Sequence, residues 1–109
     1  MPAKSMSLDQ LHVIADRFRA LGEASRLQIL SALRGGEKTV SQLVEETGFG
    51  QANLSKHLGL LRRVGYVDRR KEGVNTYYKL ADPEVLRICE LMCGRLEREA
   101  ARHRKLFAS

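Results

Sequence analysis

The sequence predicts a mainly α-helical domain of five helices that carries one small β-hairpin. Apolar residues recur at helical spacing in five segments, and the period shortens to two in the stretch after Gly65. Aromatic residues make up only 6% of the chain and tryptophan is absent, so we expect an aliphatic core built by helix packing. The 109 residues suffice for one domain, predicted over residues 8–107 after a flexible tail at residues 1–7. A domain of this size buries little surface by itself, which favours a partner subunit.

The first two helices follow from their apolar stripes. One face of a helix over Leu8–Leu21 carries Leu11, Ile14, Ala15, Phe18 and Leu21. Gly22 interrupts this helix. A second helix is predicted over residues 24–33, where Ser25 is expected to help cap the start and Gly35 and Gly36 end the helix.

Two further helices are separated by a short turn that contains Gly48. The first is predicted over residues 39–47 with Ser41 as its cap, and the second over residues 51–64, closed by Gly65. The inner face of the second helix carries Leu54, Leu58 and Leu61. Two short helices joined in this way form a helix-turn-helix.

A β-hairpin is predicted directly after the helix-turn-helix. Residues 66–71 and Asn75–Leu80 are the expected strands, and residues 72–74 are the tip, where Gly73 permits a positive φ.

A long last helix is predicted to begin with Asp82 as its N-cap and Pro83 at its first position, and to run to about Leu106. Its apolar stripe carries Val85, Ile88, Cys89, Met92, Cys93, Leu96, Ala100 and Phe107.

Positive charge is concentrated in one part of the chain. The formal net charge is +6, and residues 51–80 hold seven basic side chains against two acidic ones. A localised basic patch indicates a polyanionic partner. The patch coincides with the second helix of the helix-turn-helix and with the hairpin, which together make a winged helix-turn-helix. We therefore expect double-stranded DNA as the partner.

The outer face of the helix over residues 51–64 is expected to read base edges. Gln and Asn side chains can pair with adenine at two positions, while Ser and Lys reach base edges or phosphates. The basic hairpin can follow the backbone or enter the minor groove, and one of its two adjacent tyrosines is expected to pack inward. The predicted DNA-binding residues are Gln51, Ala52, Asn53, Ser55, Lys56, His57, Arg62, Arg69, Arg70, Lys71, Asn75 and Tyr77.

The sequence resembles the ArsR/SmtB-type bacterial transcriptional repressors over about residues 10–100. The stretches that match are residues 20–30, 54–61, 64–67 and 69–78. The run LSKHLGLLRRVGYV, followed by a glycine-tipped basic hairpin that ends in tyrosine, carries most of it. It implies a homodimer of winged helices, joined through the first and last helices, that binds a palindromic operator and represses its own operon until an inducer releases it. Gly50 stands where these proteins often have a serine cap, and glycine still serves as an N-cap.

The resemblance implies two recurring metal sites, and this chain lacks ligands for both. A thiolate site on the third helix would need cysteines where the chain has Thr39, Ser41 and Val44. A zinc site on the last helix would start near Asp82 or Glu84 and would then need ligands at Arg95 and Arg98. Arginine does not ligate zinc.

Cys89 and Cys93 are four residues apart, so their sulfurs project from one side of the last helix. In a two-fold dimer, up to four thiols would gather near the axis. Such a cluster suits a soft ion such as arsenite, Cu(I), Hg(II) or Cd(II). It also suits the sensing of oxidants or reactive sulfur. The third interpretation is that both cysteines only pack as small apolar side chains, in a repressor without a metal site.

Other function classes find little support in the sequence. A thiol oxidoreductase would need a CxxC motif beside a strand-helix unit, so we do not expect an enzyme. The hairpin lacks the aromatic platform that single-stranded RNA binding uses. No apolar stretch approaches the length of a membrane span, and residues 1–7 lack a secretory apolar region. We therefore expect a cytoplasmic protein with reduced thiols.

Overall fold

The computed structural model describes residues 5–108, and all five predicted helices and both predicted strands are present in it. The elements in chain order are α1 (Leu8–Leu21), α2 (Ala24–Ala32), β1 (Lys38–Thr39), α3 (Val40–Thr47), α4 (Gln51–Arg63), β2 (Val67–Glu72), β3 (Asn75–Leu80) and α5 (Val85–Phe107). The predicted tail at residues 1–7 falls partly outside the described residues, and its last residue, Ser7, caps α1.

Two helices begin with reciprocal capping boxes. The Ser7 hydroxyl accepts from the backbone N–H of Gln10 at 3.1 Å, and the Gln10 side chain accepts from the Ser7 N–H at 2.8 Å. Thr39 and Gln42 make the same pair of bonds at the start of α3. The prediction that Ser41 caps this helix is wrong, because Thr39 precedes the first helical residue and Ser41 already lies inside the helix.

The second helix begins at Ala24, as predicted, but differs from its prediction in its cap and at its C-terminal end. Ser25 lies inside α2 and does not cap it, since the N-cap position is Glu23, which makes no side-chain capping bond. The helix ends at Ala32, and a single 3₁₀ turn over Leu33–Gly35 follows. The tighter turn satisfies carbonyl groups that an α-helix leaves free at its end.

The last helix starts at Val85, two residues later than predicted, and ends at Phe107. The Asp82 carboxylate accepts from the backbone N–H of Glu84 at 2.9 Å, which stabilises a turn ahead of the helix. Asp82 therefore caps this turn and not the helix itself, and Pro83 lies within the turn.

Three antiparallel strands form the sheet in the order β1-β3-β2. The hairpin pairs Arg69 with Tyr78 and Glu72 with Asn75, so only two residues make the turn. Gly73, the first of them, has a φ of +61°, as a type II′ hairpin turn requires. The two-residue strand β1, which pairs with β3, was not predicted from the sequence.

An aliphatic core joins the helix-turn-helix to the base of the hairpin, as expected. Its fully buried side chains come from α2, the turn after it, α3, α4 and β2: Ile29, Leu30, Leu33, Leu43, Leu54, Leu58, Leu61 and Val67. Tyr78 packs inward against this core, as predicted for one of the two adjacent tyrosines.

The apolar stripes of α1 and α5 are largely exposed in the single chain. Only Ala20 and Leu21 of α1, and Val85 and Leu86 of α5, are buried. The exposed apolar side chains of the two helices include Leu11, Val13, Ile14, Phe18, Ile88, Leu91, Met92 and Leu96. An apolar face of this length usually lies against a partner in solution. None of the helices over residues 5–108 combines the length and the hydropathy that a membrane crossing needs.

Candidate nucleic-acid interface

The outer face of α4 is polar and exposed. The three inner leucines, Leu54, Leu58 and Leu61, are fully buried and hold the helix against the core. The opposite face exposes Gln51, Ala52, Asn53, Ser55 and Lys56, as predicted, together with Gly59 and Arg62. The N-cap of α4 is Gly50, also as predicted, and it offers no side-chain capping bond. An α-helix presented in this way fits a major groove about 12 Å wide.

His57 does not belong to the outer face, and its prediction as an exposed DNA-reading residue is wrong. Only 4% of it is exposed, and its Nε2 atom lies 3.6 Å from the Glu23 carboxylate. His57 follows Leu54 by three residues and precedes Leu61 by four, so it lies on the same helical stripe as the leucines. This spacing in the sequence is the signal that predicts a buried position for His57.

The basic side chains of β2 alternate between the two faces of the hairpin. Arg69 and Lys71 lie on the same face of the hairpin as the buried Val67. Their cross-strand partners on that face are Tyr78 and Thr76. This face turns towards α3 and α4. Arg70 points to the other face, where its partner across the strands is Tyr77.

Arg70 is held by a network of acidic and aromatic side chains. Its Nε and Nη2 atoms donate to the two Glu37 carboxylate oxygens at 2.9 and 2.7 Å, and its Nη1 atom donates to Glu72 at 2.5 Å. The guanidinium also lies 4.3 Å from the centre of the Tyr77 ring, within cation–π range. The charge of Arg70 is thereby engaged within the chain.

The network shifts the pKa values of its members. The hydrogen bond from Arg70 lowers the pKa of Glu37 below its ordinary value of 4.5. The hydrogen bonds to Glu37 and Glu72 raise the pKa of Arg70. Both shifts favour the charged forms, so the Glu37–Arg70 pair persists at neutral pH.

Other cations of the basic segment have no acidic partner within 4.0 Å among residues 5–108. They are Lys56, Arg62, Arg63, Arg69, Lys71 and Lys79. Their charge is available to an external polyanion.

An open groove of about 390 Å³ separates the hairpin tip from the helix-turn-helix. It is lined by Thr39, Val40, Ser41, Val44, Gln51, Val74, Asn75 and Thr76. Val74 stands at the tip and is 100% exposed. Of the lining residues, the sequence predicts DNA contact for Gln51 and Asn75 but not for Val74, Thr76 or Ser41. Nothing in the local sequence marks these three residues, because the groove brings them together only in the folded chain.

The two thiols lie on α5 away from this groove. Cys89 is half-buried, and Cys93 is exposed with its Sγ atom 3.5 Å from a Glu97 carboxylate oxygen. The hydrogen bond to Glu97 and the negative charge of Glu97 raise the pKa of Cys93, which favours the protonated thiol. Within the described part of one chain, no three His, Cys, Asp or Glu side chains come together as a metal site.

Comparison with known proteins identifies the family. The family model for bacterial regulatory proteins of the arsR family matches residues 23–69. A transcriptional repressor SmtB homolog from Synechocystis sp. is 38% identical over 92 residues, which are 84% of this chain and 70% of that protein. The chain belongs to the ArsR family.

Two further comparisons bear on the fold and on the extent of the match. A probable mercury resistance operon repressor from Streptomyces lividans is 40% identical over 68 residues, which are 62% of this chain and only 54% of that protein. The homodimeric winged helix-turn-helix DNA-binding domain of a possible ArsR-family regulator from Mycobacterium bovis superimposes with a TM-score of 0.77. That domain is 31% identical, and the match covers 94% of this chain and 96% of that one.

These findings confirm the predicted family and the winged helix-turn-helix fold. The family model describes bacterial regulatory proteins, and the Synechocystis relative is a transcriptional repressor homolog. The contact of individual residues with DNA stays a prediction, and so does a sensing role for Cys89 and Cys93.

Proposed function

We propose that this ArsR-family chain binds a palindromic operator as a homodimer and represses transcription from it. The observation that carries the proposal is the exposed polar face of α4, which stands beside a hairpin with unengaged cations on the same side. The long exposed apolar faces of α1 and α5 supply a surface for a second copy. Two copies related by a two-fold axis would place their α4 helices in successive major grooves, about 34 Å apart.

Base reading is assigned to the first turns of α4. Gln51 and Asn53 have the amide groups that pair with adenine in two places, and Ala52 can contact a thymine methyl group. Ser55 and Lys56 lie one turn further on and reach base edges or phosphates. Each of these five residues is exposed, so none must leave the core to reach DNA.

Backbone contact is assigned to the face of the hairpin that turns towards α4. A sugar-phosphate strand between the major and minor grooves would pass along the groove between α3, α4 and the tip. Arg69 and Lys71 would contact this strand from that face, with Asn75 beside the hairpin tip and Arg62 at the end of α4. Arg70 and Tyr77, which engage each other, would fix the shape of the hairpin.

In vitro selection from a random pool of duplexes tests the proposal. We expect enrichment of an imperfect palindrome with half-sites about one helical turn apart and a Kd in the nanomolar range. Gln51→Ala and Asn53→Ala should relax the sequence preference. Failure of the wild-type chain to enrich any sequence over the random pool would refute the proposal.

Salt dependence separates the roles of two adjacent arginines. Arg69→Ala should reduce the slope of log K against log salt by about 0.9, because one phosphate contact is lost. Arg70→Ala, the matched control, should change the slope less, since its charge is balanced by Glu37 and Glu72. Equal reductions in the two variants would contradict this division.

We further propose that the thiols of Cys89 and Cys93 receive the inducer, with a soft metal ion or arsenite as the first candidate. Three features support this: the spacing of four residues, the accessibility of Cys93, and a position on the helix that is proposed to meet its symmetry mate. One chain offers no third ligand in its described part, so a closed site would need the partner's thiols or ligands from solution. Binding would displace the thiol proton. Reactive sulfur or an oxidant is the second candidate, acting on the same two thiols.

Release of the selected duplex decides between these candidates. Arsenite, Cd(II), Hg(II) and polysulfide should be compared on the wild-type chain, Cys89→Ser and Cys93→Ser. Release by a soft ion that both variants lose supports the metal site, whereas release by polysulfide alone supports sulfur sensing. If both variants respond like the wild type, the cysteines only pack.

A further inference from the structure

The last turn of α1 is held by a side chain from the next helix. Arg26 in α2 donates from Nε to the Ala20 carbonyl at 2.7 Å and from Nη2 to the Arg19 carbonyl at 3.0 Å. Only 12% of the Arg26 side chain is exposed. The final carbonyls of a helix lack partners within the helix, and its C-terminal end carries partial negative charge. The guanidinium therefore fixes the end of α1 to the start of α2.

The same arginine connects α1 to α4, which we call the recognition helix because base reading is assigned to it. Its Nη1 atom donates to Glu23 Oε2 at 2.6 Å, and Glu23 Oε1 lies 3.6 Å from Nε2 of the buried His57 in α4. One continuous series of polar contacts thus runs from the carbonyls of α1 through Arg26 and Glu23 to the middle of α4.

A second contact reaches α1 from the far end of α4. Tyr66, three residues beyond the end of α4, donates its hydroxyl proton to the Arg17 carbonyl at 3.1 Å. Burial raises the pKa of Tyr66, so the hydroxyl keeps this proton at neutral pH. The two contacts engage α1 at Arg17 and at residues 19–20, two to three residues apart, so together they resist both tilting and rotation of α4 against α1.

We propose that Glu23, Arg26, His57 and Tyr66 are positioning residues that set the angle between α1 and the recognition helix α4. The exposed apolar face of α1 belongs to the surface assigned to the second copy. The angle between α1 and α4 therefore determines how far apart the two α4 helices lie in a dimer. The consequence for DNA rests on the proposed function, whereas the positioning itself does not.

Residual dipolar couplings of the backbone amides measure this angle without DNA. His57→Leu fills a similar space but removes the nitrogen that faces Glu23, and Tyr66→Phe removes only the hydroxyl. Both variants should change the α1–α4 orientation or broaden its distribution, and His57→Gln, which retains an N–H donor, should restore the wild-type couplings. His12→Leu, an exposed histidine on α1, is the matched control and should change nothing. Wild-type couplings in both loss variants would overturn the proposal.

The consequence of this positioning for DNA binding is measured as the affinity for the duplex obtained by in vitro selection. We expect Tyr66→Phe and His57→Leu to bind it about tenfold more weakly, with less than about a twofold change on a random duplex of equal length. Equal losses on both duplexes would contradict a role in positioning. If the wild-type chain selects no duplex, the proposed function fails, and the couplings alone still decide whether these residues set the angle.

Discussion

At the scale of single residues, neighbouring side chains with the same charge have different tasks because their surroundings differ. Arg69 and Arg70 are adjacent in a basic strand, and the sequence predicts DNA contact for both. The strand alternation puts Arg69 on the face that carries Val67 and Tyr78, while Arg70, on the other face, meets two carboxylates and an aromatic ring. The partner Glu37 is 33 residues away in the chain, so no local pattern could have revealed the pairing.

The pairing predicts the titration of Glu37. Its pKa is lowered in the folded chain, so its contribution to stability is present above the ordinary value of 4.5 and is lost as the pH falls through the lower folded pKa. Arg70→Ala should raise the pKa of Glu37 towards that ordinary value, and carboxyl ¹³C NMR measures the change.

Arg69→Ala is the matched control for this titration, because Arg69 makes no contact with Glu37 and should leave its pKa unchanged. Identical Glu37 curves in the wild type and in Arg70→Ala would show that the pair does not form in solution.

At the scale of elements, the helices and the hairpin could be predicted because their signals are local. The apolar spacing of α1 and the glycine after α3 sufficed to place those elements. The strand β1 could not be predicted, since two residues show no period and their strand exists only through pairing with Tyr77 and Tyr78. Ser41 and Ser25 were misplaced as caps because several polar residues near a helix start can cap it, and the backbone decides which one does.

The turn of the helix-turn-helix depends on one glycine. Gly48 ends α3 with a φ of +75°, a conformation that L side chains rarely adopt, although an added Cβ would meet no atom within 4 Å. Gly48→Ala should therefore destabilise the fold by about 1 kcal/mol through backbone strain alone. Urea unfolding at one fixed chain concentration measures this cost.

Gly59→Ala should change the free energy of unfolding in the opposite direction, and it serves as the control. Gly59 lies inside α4 with open space around it, and alanine favours a helix interior, so we expect a gain of about 0.5–1 kcal/mol. A gain in both variants would show that the assigned turn conformation is wrong.

At the scale of the whole molecule, one chain leaves its most apolar surfaces in water. Phe18 of α1 is 54% exposed and Leu96 of α5 is 55% exposed, although both belong to stripes that the sequence predicts to be apolar faces. The sequence could show that these faces exist, whereas what covers them depends on a second molecule. Replacing such residues should cost a single chain little, because they bury little surface within it.

The mass of the complex between the chain and the selected palindromic duplex, measured by analytical ultracentrifugation, tests the central claim most directly. We expect two chains on each duplex for the wild type. The Phe18→Glu/Leu96→Glu double variant should stay folded, sediment as a monomer and lose the selected duplex. One wild-type chain per duplex, or a double variant that still binds in pairs, would contradict the account of a dimer that reads both half-sites.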